Sequence, residues 1–176
     1  LELQAPHRKE CFVSHPLFER HRATLERAVQ AIRERSYWSA YPESASPKVY
    51  GEGAAEAGRV AFDALLGQRF PLTQPATVGQ VGGENSPYGM ALGITYPKPD
   101  IDGLFAAVGR AEDQWKKAGP ETWAGVCVEI LARINKASFE IANAVMHTTG
   151  QAFLMAFQAG GPHAQDRGLE AVAYAW

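Results

Sequence analysis

From Pro99 to Gly150 apolar residues recur at helical spacing with hardly a break, and that run limits the chain to folds in which helices cover one another. A single-striped helix needs a partner surface. Ile101, Leu104, Phe105, Val108, Ala111 and Trp115 make the first stripe; Pro99 can open its helix, and Asp100 and Asp102 lie near the positive end of its dipole. Gly119 closes that helix and Pro120 opens the next, whose expected inner face is Trp123, Val126, Cys127, Ile130, Leu131 and Ile134. Ser138 is expected to cap a third helix through Ile141, Ala142, Val145 and Met146, with Gly150 as its stop.

The first half is organised differently. A helix is predicted from about Ser14, an N-cap type followed by Pro16, with Phe18, Leu25, Val29 and Ile32 inward and a run of arginines on the solvated side. Residues 36–51 change to Ser, Pro and aromatics, a composition that suits an irregular segment anchored over a surface by Tyr37, Trp38, Tyr41 and Tyr50. A second helix is predicted from about Glu52 to Leu66, carrying Ala55, Phe62, Leu65 and Leu66 on one side and ending at Gly67. Between Tyr88 and Tyr96 larger residues alternate with Gly, Ala and Thr, the pattern of a strand. Thr77 to Val81 is its expected partner across the turn-forming Gly82 to Pro87.

After Gly150 an apolar stretch, Ala152 to Phe157, leads to a break at Gly160-Gly161-Pro162. A final helix follows, with Leu169, Val172 and Trp176 as its stripe and no Gly, Asn or Pro to stop it. Its uncovered carbonyls and apolar side predict that more polypeptide continues from it.

The charge balance excludes some partners. Seventeen Lys and Arg against nineteen Asp and Glu leave no cationic surplus to release counterions from a phosphate backbone, so nucleic acid is not expected. No apolar run is long enough to span a bilayer, and no secretion signal opens the sequence, so no membrane partner and a cytoplasmic setting are expected.

Reactive constellations are scarce. Gly51-Glu52-Gly53 with Gly58 is spaced too widely for a dinucleotide loop and lacks a good buried strand before it, so a turn before a helix is the better reading. His15, His21, His147 and His163 do not form zinc-ligand spacings with each other or with a cysteine. Cys127 lies among apolar residues that favour a packed, neutral thiol; Cys11 follows His7, Arg8 and Lys9 and reads as a free surface thiol. Asp100 and Asp102 are explained by the helix dipole. From the residues alone the best class is a non-catalytic helical binding or assembly module with a small hairpin.

Several motifs nonetheless resemble a known family. Asp100-Ile101-Asp102 with Ala106-Ala107, Gln114-Trp115, Ile130-Leu131, Thr149-Gly150-Gln151 and Ala173-Tyr174-Ala175-Trp176 are similar to the amino-terminal region of the aldehyde dehydrogenase superfamily. His15-Pro16-Leu17-Phe18, Tyr37-Trp38-Ser39, the stretches 47–53 and 86–89, and Gln158 through Gly168 resemble the PaaN family of phenylacetate-degradation proteins. The resemblance implies a predominantly helical α+β fragment of the α/β aldehyde dehydrogenase fold, with residues 1–70 as a family-specific helical extension and 71–176 as the hairpin and early helices. It implies a longer parent oxidoreductase that uses NADP or NAD on a CoA-linked aldehyde formed by ring opening, and that associates as a homo-oligomer. In that superfamily the nucleotide strands, the nucleophilic Cys and the activating Glu follow this region, so no catalytic or cofactor-binding residue is expected here, and no cofactor on the fragment itself. By position the resemblance places His163 and Arg167 at the mouth of the substrate tunnel; four apart, they share a helix face.

Overall fold

The computed structural model describes residues 15–176; the expectations for Cys11 and for a cap at Ser14 lie outside them. Among the described residues eight helices and two strands follow in the order α1 (Pro16–Glu34), α2 (Pro47–Tyr50), α3 (Ala54–Asp63), β1 (Thr77–Gly82), β2 (Thr95–Pro99), α4 (Ile101–Lys117), α5 (Gly119–Lys136), α6 (Ser138–Thr149), α7 (Phe153–Gly160) and α8 (Pro162–Ala175). The protein is mostly helical, with one two-stranded antiparallel sheet.

Helix α1 is capped by the His15 ring, whose Nδ1 accepts from the Leu17 amide at 3.3 Å, with Pro16 in the first turn. Its stripe of Phe18, Leu25 and Ala28 packs on Ala124 and Val128 of α5 and on Leu169 and Ala173 of α8. The expected inner face of α5 is therefore rotated. Ile130 is half exposed and Trp123 lies at the surface, while the small residues Ala124 and Gly125 face α1. The reason is the closeness of the two backbones: a Cβ on Gly125 would sit 2.5 Å from the Phe18 amide nitrogen and 2.8 Å from its Cα. Bulk on that side of α5 would push the helices apart.

A second crossing uses the same device. Gly58 of α3 lies so near α6 that an added Cβ would meet the Glu140 nitrogen at 2.7 Å and collide with the Phe139 Cβ. α3 itself is shorter than the sequence pattern suggests, with Ala55 exposed, turns following Asp63, and Leu65 and Leu66 packed beside Phe62. Phe139, Ala142 and Phe157 form the core between α6 and α7, and Tyr50 stands edge-on to both phenyl rings. That ring belongs to α2, a single helical turn capped by Ser46 within the stretch expected to be irregular.

Ser138 does not cap α6. It is the first helical residue and fully buried, and its Oγ accepts from Gln165 Nε2 at 3.2 Å, while Gln165 Oε1 accepts from Asn135 Nδ2 at 2.8 Å. This network joins α5, α6 and α8 through buried polar side chains that hydrogen-bond one another. Gly150, in the left-handed region, does end α6, and the apolar stretch after it forms α7.

The hairpin exists, but its second strand is displaced. β2 begins at Thr95, paired Val81 with Tyr96 and Gln80 with Pro97, whereas 88–94 form a loop. Gly89 and Gly93 have positive φ, which interrupts the alternation, and of the expected single face Leu92 and Ile94 are buried with Phe62 while Tyr88 and Met90 are exposed. Pro99 accordingly ends β2, and Asp100 caps α4 by accepting from the Gly103 amide at 2.8 Å.

Two further expectations change. Much of the apolar side of α8 is covered within the chain: Leu169 and Ala173 lie in the core, and Trp176, 47% exposed, rests its ring on Phe18 at 4.9 Å. Conversely, α4 buries none of its residues, so its stripe faces solvent.

Across the α1–α5 seam Glu129 receives His21 Nε2 at 2.7 Å and Arg20 Nη1 at 3.2 Å, and one turn on along α5 itself it receives Arg133 Nε at 2.8 Å. The His21 and Arg133 hydrogen bonds push its carboxyl from 4.5 down to about 2. A carboxylate held below its unfolded pKa adds stability that is complete above about 4.5 and is lost as the pH falls toward about 2. Glu129→Gln is expected to lower the urea midpoint at pH 7, with the gap to the unaltered protein closing between pH 4.5 and 2. A gap independent of pH would contradict this assignment.

Candidate functional site

A groove lies between the end of α1, the segment 36–46 and α8. It has a volume of about 360 Å³ and is lined by Ala28, Ala31, Ile32, Leu169, the aromatic Tyr37, Trp38 and Tyr174, and the charged Arg35, Glu43, His163, Asp166, Arg167 and Glu170. His163 and Arg167 therefore share one groove, as their spacing suggests.

Each is held by a carboxylate. His163 Nδ1 is 3.0 Å from Glu43 Oε1, and Arg167 Nη1 donates to Glu170 Oε2 at 2.6 Å. Beside the His163 imidazole the lining carries two guanidiniums, Arg35 and Arg167, and three carboxylates, Glu43, Asp166 and Glu170, so it has no surplus of arginine over acid. An acidic ligand would have to displace Glu43 and Glu170 from their partners.

The groove wall depends on Asp166. Its Oδ2 accepts from the Ser39 hydroxyl at 2.5 Å and its Oδ1 from the Tyr41 amide at 3.3 Å, fastening the irregular segment to α8. Tyr41 is buried behind it, and burial first, then the Asp166 charge, pushes its phenol up to about 12. Trp38 packs beside the same core, whereas Tyr37 is 93% exposed. Sequence reasoning missed Asp166; the available signal was a carboxylate next to Gln165 and three residues before Leu169, on the inner side of α8.

A second constellation also escaped it. Ser86 is buried in the 83–94 loop with its Oγ 2.9 Å from His147 Nδ1, and the His147 ring lies flat on Phe62 and edge-on to Tyr88. Tyr88 Oη donates to the Gly150 and Gln151 carbonyls, each at 3.2 Å. Ser86 also accepts from the Tyr88 amide, so its oxygen is spent on the turn. These contacts clamp the loop onto the end of α6, and neither nitrogen of His147 is shown with a carboxylate that would turn the pair into a nucleophile and base.

The glycines at 51, 53 and 58 are committed to turns and helix packing. Gly51 and Gly53 form the turn between α2 and α3, with no strand before them, and Gly58 is sealed against α6. These residues do not fit a dinucleotide. Cys127 is a free thiol, partly buried in α5. Among the described residues no group of three His, Cys, Asp or Glu side chains could hold a metal ion, and no helix is long and apolar enough to cross a membrane.

Comparison with known proteins gives one informative match. No protein-family profile matches the chain, and no curated protein does. A crystal structure described as an NAD-dependent aldehyde dehydrogenase from Burkholderia multivorans matches with a TM-score of 0.88 at 61% sequence identity, over 93% of this chain and 29% of that one. The fold is thus that of a fragment of an aldehyde dehydrogenase, and these 176 residues span less than a third of the solved chain.

Asp166→Ala is expected to cost about 1–3 kcal/mol in urea unfolding, because the Ser39 hydroxyl and Tyr41 amide lose a charged acceptor. Amide exchange at 39–41 should rise with that loss. Unchanged exchange at these positions would show that the segment is held by packing alone.

Proposed function

We propose that these residues are the amino-terminal portion of an NAD(P)-dependent aldehyde dehydrogenase-type oxidoreductase. The observation that carries the reading is 61% identity, extending over 93% of the chain, to a protein described as an NAD-dependent aldehyde dehydrogenase. On this reading residues 1–70 are an extension specific to the family and 71–176 the first elements of the dehydrogenase, and the parent works in the cytoplasm as a homo-oligomer. The PaaN-like motifs support a finer proposal, in which the parent oxidises a CoA-linked aldehyde released by ring opening during phenylacetate degradation.

The 176 residues contribute structure to that chemistry, not the reacting groups. Nothing in the groove or the Ser86–His147 clamp supplies a free nucleophile with a base, and the glycine turn does not accept a pyrophosphate. Nucleotide, nucleophile and water-activating groups are assigned to polypeptide beyond these residues.

His163 and Arg167 are proposed to line the mouth of the substrate tunnel. Their positions in one groove on α8 support this, and their pairing with Glu43 and Glu170 sets its strength. Exposed ion pairs of this kind contribute about 0–1 kcal/mol each, so an anionic group on a substrate can compete for the cations. In the full-length enzyme, the double substitution His163→Ala, Arg167→Ala is expected to raise KM for a CoA-linked aldehyde about tenfold with little change in kcat. An unchanged KM would remove both residues from the substrate path.

A further inference from the structure

The charged groups that line the groove between α1 and α8 are paired, with one exception among the described residues. His163 meets Glu43, Arg167 meets Glu170, and Asp166 holds the Ser39 hydroxyl and the Tyr41 amide. The Arg35 guanidinium makes no ion pair or hydrogen bond with any described residue. An anion takes His163 or Arg167 only by displacing a carboxylate, whereas Arg35 is open.

Arg35 also holds an uncommon backbone position. It closes α1 in the left-handed region at φ 53° and ψ 37°, with its amide 3.2 Å from the Ile32 carbonyl and the Ser36 amide 3.0 Å from the Ala31 carbonyl. Glycine takes this place without strain; a side chain does not. The helix dipole does not require the cation either, since Arg33 already stands in the last turn. Strain kept at a residue that faces a groove points to function. Two rings beside it are open as well. Trp38 has the Arg27 guanidinium 5.9 Å from its ring centre, but Tyr37 and Tyr174, 93 and 69% exposed, have neither ring nor hydroxyl engaged by a described residue.

We propose that Arg35, Tyr37 and Tyr174 form a subsite for a planar ring that carries one anionic group, a carboxylate or a phosphate monoester. The guanidinium fork matches the paired oxygens of either anion, the phenols donate to it, and their rings stack on the ring that bears it. Glu43, Asp166 and Glu170 in the same lining repel a polyphosphate, and a volume of about 360 Å³ gives room for one ring and its anion. The assignment rests on the reading of this groove as a substrate path and deepens it: the subsite takes the ring-borne anion of the substrate.

Calorimetric titration of the natural-length protein with benzoate and with adenosine monophosphate distinguishes the two anions; adenosine and inorganic phosphate supply ring and anion alone. At least one ring-borne anion is expected to bind about tenfold more tightly than adenosine or phosphate, and Arg35→Gly to weaken it about tenfold. The thermal midpoint of Arg35→Gly is expected not to fall, because glycine relieves the left-handed strain. Arg35→Lys, which keeps the charge without the fork, is expected to recover only part of the affinity. Should Arg35→Gly fail to fold, Tyr37→Ala, at an exposed ring, is expected to weaken the same probe about threefold. Absence of binding by both benzoate and adenosine monophosphate, or an affinity unchanged by the Arg35 and Tyr37 substitutions, would overturn the subsite. Weakened binding in Arg35→Gly with an unchanged KM in the His163→Ala, Arg167→Ala enzyme keeps the subsite and removes those two residues from the substrate path; the reverse pattern removes the subsite alone.

Discussion

The arrangement of the helical body follows from how closely α1 lies on α5. With no side chain at Gly125, the backbone at Leu17 and Phe18 comes within van der Waals reach of the α5 axis, and the Phe18 ring is carried into the core. α8 then lies against both helices through Leu169 and Ala173, and the Trp176 ring caps the Phe18 edge. From α8, Asp166 reaches out to fix the segment 36–46, and Gln165 reaches inward to Ser138 and Asn135. The groove that holds His163 and Arg167 is thus a late consequence of one helix crossing.

Much of this was legible in the sequence. Helical periods, the Gly150 stop, the helix starts at Pro16, Pro120 and Pro162 and the existence of a hairpin are local properties, set by backbone sterics and by the spacing of apolar residues, and they appear where expected, whereas Pro99 ends a strand. Which side of a helix faces inward was less legible. In α5 the large residues Trp123 and Ile130 suggested one face, while the crossing selected the small residues Ala124 and Gly125. A hydrophobic stripe records that a helix has a partner. It does not record how near that partner comes.

The same limit explains β2 and Ser138. Leu92 and Ile94 look like one side of a strand, but Phe62 on a distant helix collects both, and the glycines between and before them allow the turn. Ser138 has the chemistry of a cap, yet Gln165, 27 residues later, claims its hydroxyl. At the candidate site, His163 and Arg167, four apart on α8, both line one groove, and their partners Glu43 and Glu170 come from tertiary packing and from the next turn of α8. The sequence motifs carry the functional reading further than the geometry of the groove does.

The crossing at Gly125 can be tested by the sign of one effect. Replacing an unconstrained helical Gly with Ala stabilises a helix by roughly 0.5–1 kcal/mol. Against the Phe18 backbone the added methyl has no room, and overpacking of this kind costs about 1–3 kcal/mol. Urea unfolding of the Gly125→Ala protein is therefore predicted to show a lower midpoint with an unchanged slope. A midpoint equal to or above that of the unaltered protein would mean that α1 and α5 do not meet at this closeness, and the body would have to be assembled on some other contact.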